Sequence, residues 1–288
     1  MRLFYYVHTG HRIGLDRFRR AATIIRALDD VDITLLTSDF RIASVARDYG
    51  VKRSVGVDVV RNIPQIANNG DKIIFDSAEI NPIMLDDMTR YFSTFIRISD
   101  DPNEQKHPGE LLVSPYLEGE GVFKGVAVDN DCFEPKAKTI ARTFFFGDDD
   151  YEEDLAVHRG VFDGLDLDLL EGFYWFHGYG KKLADHFKTL HDEESYTEVV
   201  ASSNVLVTSS PQAALENLAG GGKPVYLQRR DYPTDFLPLF ESLGIPVLNG
   251  FDHGKLAGIL GSMTSHKYHA CPKNCDALAR FLKHHLDL

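Results

Sequence analysis

The chain has 288 residues, enough for two ordinary domains or one large one. Its 43% hydrophobic and 26% charged residues are those of a soluble globular protein, and no run of about 18 apolar residues offers a transmembrane helix. A net charge of −12 argues against nucleic acid or anionic membrane as the main partner, since both select basic surfaces, but leaves room for a small phosphorylated ligand in a local positive field.

The N-terminus is apolar only over Met1–Val7 and reaches His8 and His11 too soon for a signal peptide, so a cytoplasmic protein is expected. Cys132, Cys271 and Cys275 cannot make a paired framework, and Cys271-Pro-Lys-Asn-Cys275 lacks both zinc-knuckle spacing and a second pair. Residues 148–171 carry about ten acids against Arg159 alone, which reads as a solvated face.

Strand-length apolar runs alternate with helical periodicity, the pattern of parallel α/β architecture. In the first half, strands are predicted at Leu3–Val7, Ile33–Thr37, Lys52–Val55, Lys72–Phe75, Phe95–Ile98 and Leu111–Val113. Helices are predicted at Asp16–Leu28, Phe40–Tyr49 and Val59–Asn68, with 100–120 as loop and 125–138 as the crossing between halves. The second half reads as strand Thr139–Phe146, helix Tyr151–Phe162, strand Gly172–Phe176, helix Lys181–His191, short helix Tyr196–Ser202 and strand Asn204–Thr208. A helix from Pro211 and a strand at Pro224–Leu227 follow. The segments Phe236–Leu243, Pro246–Leu248 and His253–Met263 and a helix at Asn274–Leu286 complete it. The expected fold is α/β: two Rossmann-like doubly wound domains facing a central cleft, over 1–135 and 136–272, with a C-terminal helix at 273–288.

Two segments carry chemistry. In residues 202–224 a buried strand stops at Ser209-Ser210 and turns into a helix. Ser210 suits the N-cap and Pro211 the first helical position. Free N–H groups and the positive dipole end there would suit a phosphate. Glu216 is too far along for a capping box and is expected to point freely into the same crevice, where ribose hydroxyls could meet it. The second segment is the loop after the first strand, His8-Thr9-Gly10-His11-Arg12-Ile13-Gly14. It matches neither the dinucleotide fingerprint nor a Walker phosphate loop. Its His11, an imidazole at a strand end, could take a proton from an attacking water or hydroxyl. His8 is the weaker candidate.

Gly10-His11 together with 202–224 resembles the GT-B nucleotide-sugar enzymes, in length and layout the nucleotide-sugar hydrolases of pseudaminic acid biosynthesis and the related MurG-type glycosyltransferases. The resemblance implies a uridine-linked nucleotide-diphosphate sugar as partner, with a sugar, a glycan or water as acceptor, and His11 as general base. Gly10, Gly147, Ser209, Ser210, Pro211 and Gln212 would hold the nucleotide diphosphate, and Glu216 the ribose. The chain departs from these relatives in having Ser209-Ser210 for Gly-Gly, Gly14 where the hydrolases carry Arg, and Ala78 near the end of the fourth strand in place of an aromatic. Residues 229–235 replace their Gln-containing loop; Asp231, Thr234 or Asp235 there could touch the sugar, or Thr234 could cap a helix. Asp76 and Asp100, at strand ends of the first half, could also face sugar or acceptor.

Asp148-Asp149-Asp150 resembles a metal-binding aspartate cluster, but preceding a helix it reads better as caps and first-turn acids. No metal and no cofactor is expected. The aromatic run Phe173–Phe176 reads as core strand. The function expected from the resemblance is a glycosyltransferase-like enzyme, with a nucleotide-sugar hydrolase and a nucleotide-sugar binder without turnover as alternatives.

Overall fold

The computed structural model describes residues Met1–Leu288 and divides into two compact units. The first comprises Met1–Gly10, Arg17–Ala127 and Asn274–Leu288; the second comprises His11–Asp16 and Val128–Lys273.

The first unit contains β1 (Leu3–Val7), α1 (Asp16–Ala27), β2 (Ile33–Thr37), α2 (Phe40–Val45), β3 (Ser54–Gly56), β4 (Lys72–Asp76), α3 (Pro82–Tyr91), β5 (Thr94–Ile98), β6 (Leu111–Ser114) and β7 (Val122–Lys124). All seven strands are parallel in the order β3-β2-β1-β4-β5-β6-β7. The order reverses between β1 and β4, which is where open α/β sheets bind ligands. Both strands are buried along their whole length, as the unbroken apolar run Leu3–Val7 requires. Phe4, Tyr6, Ile73, Phe75 and Phe95 pack with Leu85 and Met88 of α3.

The second unit contains β8 (Ile140–Phe145), α4 (Asp154–His158), β9 (Asp168–Leu170), α5 (Tyr179–Leu183), β10 (Leu190–His191), α6 (Tyr196–Ser202), β11 (Ser203–Thr208), α7 (Pro211–Ala219), β12 (Lys223–Gln228), α8 (Leu237–Leu243), β13 (Val247–Asn249) and α9 (His253–Ser262). Its six strands are again parallel, in the order β10-β9-β8-β11-β12-β13, with the reversal between β8 and β11. Phe144, Phe146, Phe162, Val205, Val207, Val225 and Leu227 form its main core. The last helix, α10 (Cys275–His285), belongs to the first unit. There Phe281 meets Phe123 at 5.6 Å and Lys283 pairs with Asp30 at 2.7 Å.

Several elements differ from expectation for local reasons. Gly172–Phe176 is loop, and the strand lies earlier, at β9, on the alternating Leu-Asp run 165–170. The stretch expected as one helix from Lys181 breaks after Leu183, passes through a 3-10 turn at Ala184–His186 and ends in β10. Pro64 limits the segment expected as helix Val59–Asn68 to a 3-10 turn at Val60–Gln65. Two elements fall outside the expected ones: α3, which Asn81 caps by accepting from Met84 N at 3.0 Å and Pro82 opens, and the short strand β7.

Candidate functional site

The site is built on the C-terminal ends of β8 and β11, neighbouring strands in which Phe145 faces Thr208. Each of the three aspartates after β8 has a different task, and all three are buried. Asp148 accepts from Leu15 N at 3.2 Å. Asp150 takes the N–H groups of Asp154 at 2.9 Å and Leu155 at 3.0 Å, opening α4, and accepts from the Tyr179 hydroxyl at 2.5 Å. Burial raises its pKa above the ordinary carboxylate value, against the opposing hydrogen bonds.

Asp149, 1% exposed, uses one oxygen on Tyr151 N at 3.2 Å and the other on His11 Nδ1 at 3.2 Å. A carboxylate only accepts, so Nδ1 is the donor in this contact. The His11 side chain is 38% exposed. Its ring lies 4.9 Å from that of Tyr174 and 6.0 Å from that of Tyr151. Tyr151 is 46% exposed and lies 5.9 Å from Phe176, which is 52% exposed, so an exposed aromatic pair extends outward from the imidazole. Arg12 covers the Tyr151 ring at 4.6 Å and adopts a left-handed φ of 65°.

Gly172 explains how the chain after β9 reaches this place. A Cβ there would collide with the carbonyl oxygens of Gly147 and Asp148. Without one, Tyr174 N donates to the Asp148 carbonyl at 2.8 Å and its ring turns to His11. The aromatic run expected as core strand thus lies at the site, with Tyr174 buried and Phe176 exposed.

At the end of β11 the expected cap is present: Ser210 Oγ accepts from Ala213 N at 3.0 Å, and Pro211 opens α7. The expectation that both serines offer backbone N–H groups to an anion is corrected. Ser209 N donates to the Phe145 carbonyl at 3.2 Å and Ser210 N to Thr208 Oγ1 at 3.0 Å. Ser210 Oγ also donates to the Asp16 carboxylate. Ser209 Oγ, fully buried, has no hydrogen-bond partner. Glu216 is not free either. Its oxygens accept from the Tyr196 hydroxyl and Gln212 Nε2, both at 2.9 Å.

The remaining expected residues lie as follows. Gly147 has φ +116°, a conformation suited to glycine, and a Cβ there would stand 3.8 Å from the Tyr232 hydroxyl. Gly10 follows β1 in the first unit, and a Cβ at Gly10 would meet nothing within 4 Å. Asp231 is engaged by Arg229, at 3.0 Å from Nε and 2.6 Å from Nη2. Thr234 is exposed and Asp235 half-buried; the expected cap by Thr234 is absent, since α8 has no side-chain cap and only the Thr234 carbonyl serves Leu237 N.

In the first unit, Asp76 is fully buried and Arg20 grips both of its oxygens, at 2.9 and 2.6 Å. The Tyr5 hydroxyl adds a third bond at 3.2 Å, and Arg20 also holds Asp100 at 2.6 Å. These bonds tie the ends of β4 and β5 to α1. His8 lies beside Glu79 at 3.6 Å, and burial lowers its pKa against the pull of Glu79.

Asp149 and Arg229 were not among the residues expected at the site. For Asp149 the sequence signal was three adjacent acids, which does not say which one faces His11. Among His, Cys, Asp and Glu residues no group of three or more is placed to hold a metal ion. No helix is long and apolar enough to cross a membrane.

No protein-family model matches the chain, and no curated protein matches it in sequence. Solved structures do. S. aureus MnaA in complex with UDP aligns with a TM-score of 0.64 and 11% identity over 100% of this chain and 98% of that one. Methanocaldococcus jannaschii UDP-GlcNAc 2-epimerase, in complex with UDP-GlcNAc and UDP, gives 0.62 and 10% over 99% and 100%. Acinetobacter baumannii MurG gives 0.57 and 10% over 99% and 100%. The likeness extends to epimerases as well as glycosyltransferases and does not single out the MurG type. What it establishes is the fold: two Rossmann-like units, each a parallel sheet flanked by helices, of the GT-B type.

Proposed function

We propose that the chain is an enzyme acting on a nucleotide-diphosphate sugar, of the glycosyltransferase type, with His11 as general base. The observation that carries this reading is the His11–Asp149 pair at the β8/β11 reversal, the place where open α/β sheets take their ligands. The fold supports it: MnaA and the 2-epimerase hold UDP in their structures. His11 Nε2 takes the proton of an acceptor hydroxyl. The oxygen attacks the anomeric carbon, and the bond from that carbon to the nucleotide diphosphate breaks, its electron pair leaving with the diphosphate. The positive end of the α7 dipole, rather than the engaged N–H groups of Ser209 and Ser210, offsets the charge developing there. Glu216, oriented by Tyr196 and Gln212, meets the ribose.

Transfer is preferred to hydrolysis because Tyr151, beside His11, and Phe176, against Tyr151, are both exposed. Such a surface suits a ring-bearing acceptor, and water needs none. The rival is a nucleotide-sugar binder without turnover, which gains support from Asp16 seated on the cap of α7.

A panel of nucleotide sugars, with and without sugar acceptors, tests this by nucleotide release. Acceptor-stimulated release that disappears in His11→Ala is the expected result. Release independent of acceptor would favour the hydrolase, and tight binding with no release the binder.

A further inference from the structure

We infer that Arg229 is a positioning residue for His11, acting through Asp149 to set which ring nitrogen carries the proton. The inference rests on the reading of His11 as general base. Arg229 follows β12 and reaches past the end of β11 to the loop after β8, where its Nη1 donates to the Asp149 carbonyl at 2.6 Å. Its guanidinium lies between two rings, Phe146 at 4.3 Å and Tyr232 at 4.2 Å. Asp231 takes the other edge of the fork through Nε and Nη2.

The guanidinium is thus held along two edges and over two rings, and its side chain is only 4% exposed. With the Asp149 carbonyl held by Arg229 and one carboxylate oxygen held by Tyr151 N, the second oxygen is aimed at His11 Nδ1. Burial alone would weaken the charge on Arg229, but Asp231, Tyr232 and Asp150 outweigh it and keep the group cationic. A buried cation is thus placed at the Asp149 carbonyl and within electrostatic reach of Asp150. Lysine cannot reproduce this, because the geometry needs a planar fork with two stacking faces.

The test reads the tautomer of His11 by 15N NMR in the free protein at about pH 8.5, where an ordinary imidazole is neutral. Wild type is expected to hold the proton on Nδ1. Arg229→Met is expected to move the population to Nε2–H and to lower kcat about 10²-fold. The donor KM should stay within about twofold, and Arg229→Lys should recover only part of the loss. If Arg229→Met does not fold, Asp231→Asn loosens the fork while keeping both stacking contacts and should shift the tautomer in the same direction. Retention of Nδ1–H in every variant that folds overturns the inference. The tautomer needs no turnover, so it decides the role of Arg229 even if His11→Ala leaves nucleotide release intact and the functional reading fails.

Discussion

His11 Nδ1 stands 3.2 Å from a carboxylate oxygen of Asp149, a residue 138 positions away in the chain. The pair joins an exposed imidazole to an almost fully buried acceptor, which holds a proton on Nδ1 and turns Nε2 to the role proposed for it above.

Asp149→Asn keeps the shape of the side chain but replaces an oxygen acceptor with an amide that can also donate. If His11 is the general base, kcat falls by about 10²- to 10⁴-fold with little change in donor KM. Steady-state kinetics on the active nucleotide sugar check this; an unchanged kcat would remove Asp149 from the mechanism.

Ser210→Ala removes the cap on Ala213 N and the bond to Asp16. A loss of about 1 kcal/mol in folding stability is expected from the cap. Urea unfolding of the variant against wild type measures it, and Ser210→Asn, which retains a capping oxygen, should lose less.

Arg97 is buried and holds Glu110 through two bonds of 2.8 Å, with Glu104 as a second partner. Arg97→Met leaves a buried carboxylate without its cation, which costs about 3–5 kcal/mol. The double variant Arg97→Met/Glu110→Leu should recover much of that loss, and a midpoint no better than the single variant's would contradict the account.

His8 contributes a pH dependence whose sign follows from its lowered pKa. Burial lowers it below the reference 6.5, Glu79 opposes the shift and Arg17 reinforces it. The unfolded chain therefore binds the proton first. Stability is complete above about pH 6.5 and falls as pH drops from there to the lower folded value. Denaturant midpoints between about pH 8 and 5 should show a shallower acid loss in His8→Gln than in wild type. Equal slopes would mean that other groups govern the acid limb.

Strand positions were legible wherever the pattern was local and unambiguous. Leu3–Val7 and Ile33–Thr37 occur as expected, because an unbroken run of apolar or β-favouring residues, buried throughout in the first and at all but Thr34 in the second, suits a strand covered on both faces. The cap at Ser210 and the opening at Pro211 were readable for the same reason: they depend on residues within one turn. Phe173–Phe176 misled because aromatic content signals both a core strand and a ring-lined surface. Only the approach of Gly172 to the loop after β8 separates the two.

The sequence by itself determined the alternating α/β plan, the turn into α7 and His11 as a candidate base, since each is written in neighbouring residues. Tertiary structure alone decided which of three adjacent aspartates meets His11, where Arg229 reaches, and whether the Ser209 and Ser210 N–H groups are available. Those outcomes depend on hydrogen bonds between segments far apart in the chain, and no spacing rule encodes which donor finds which acceptor.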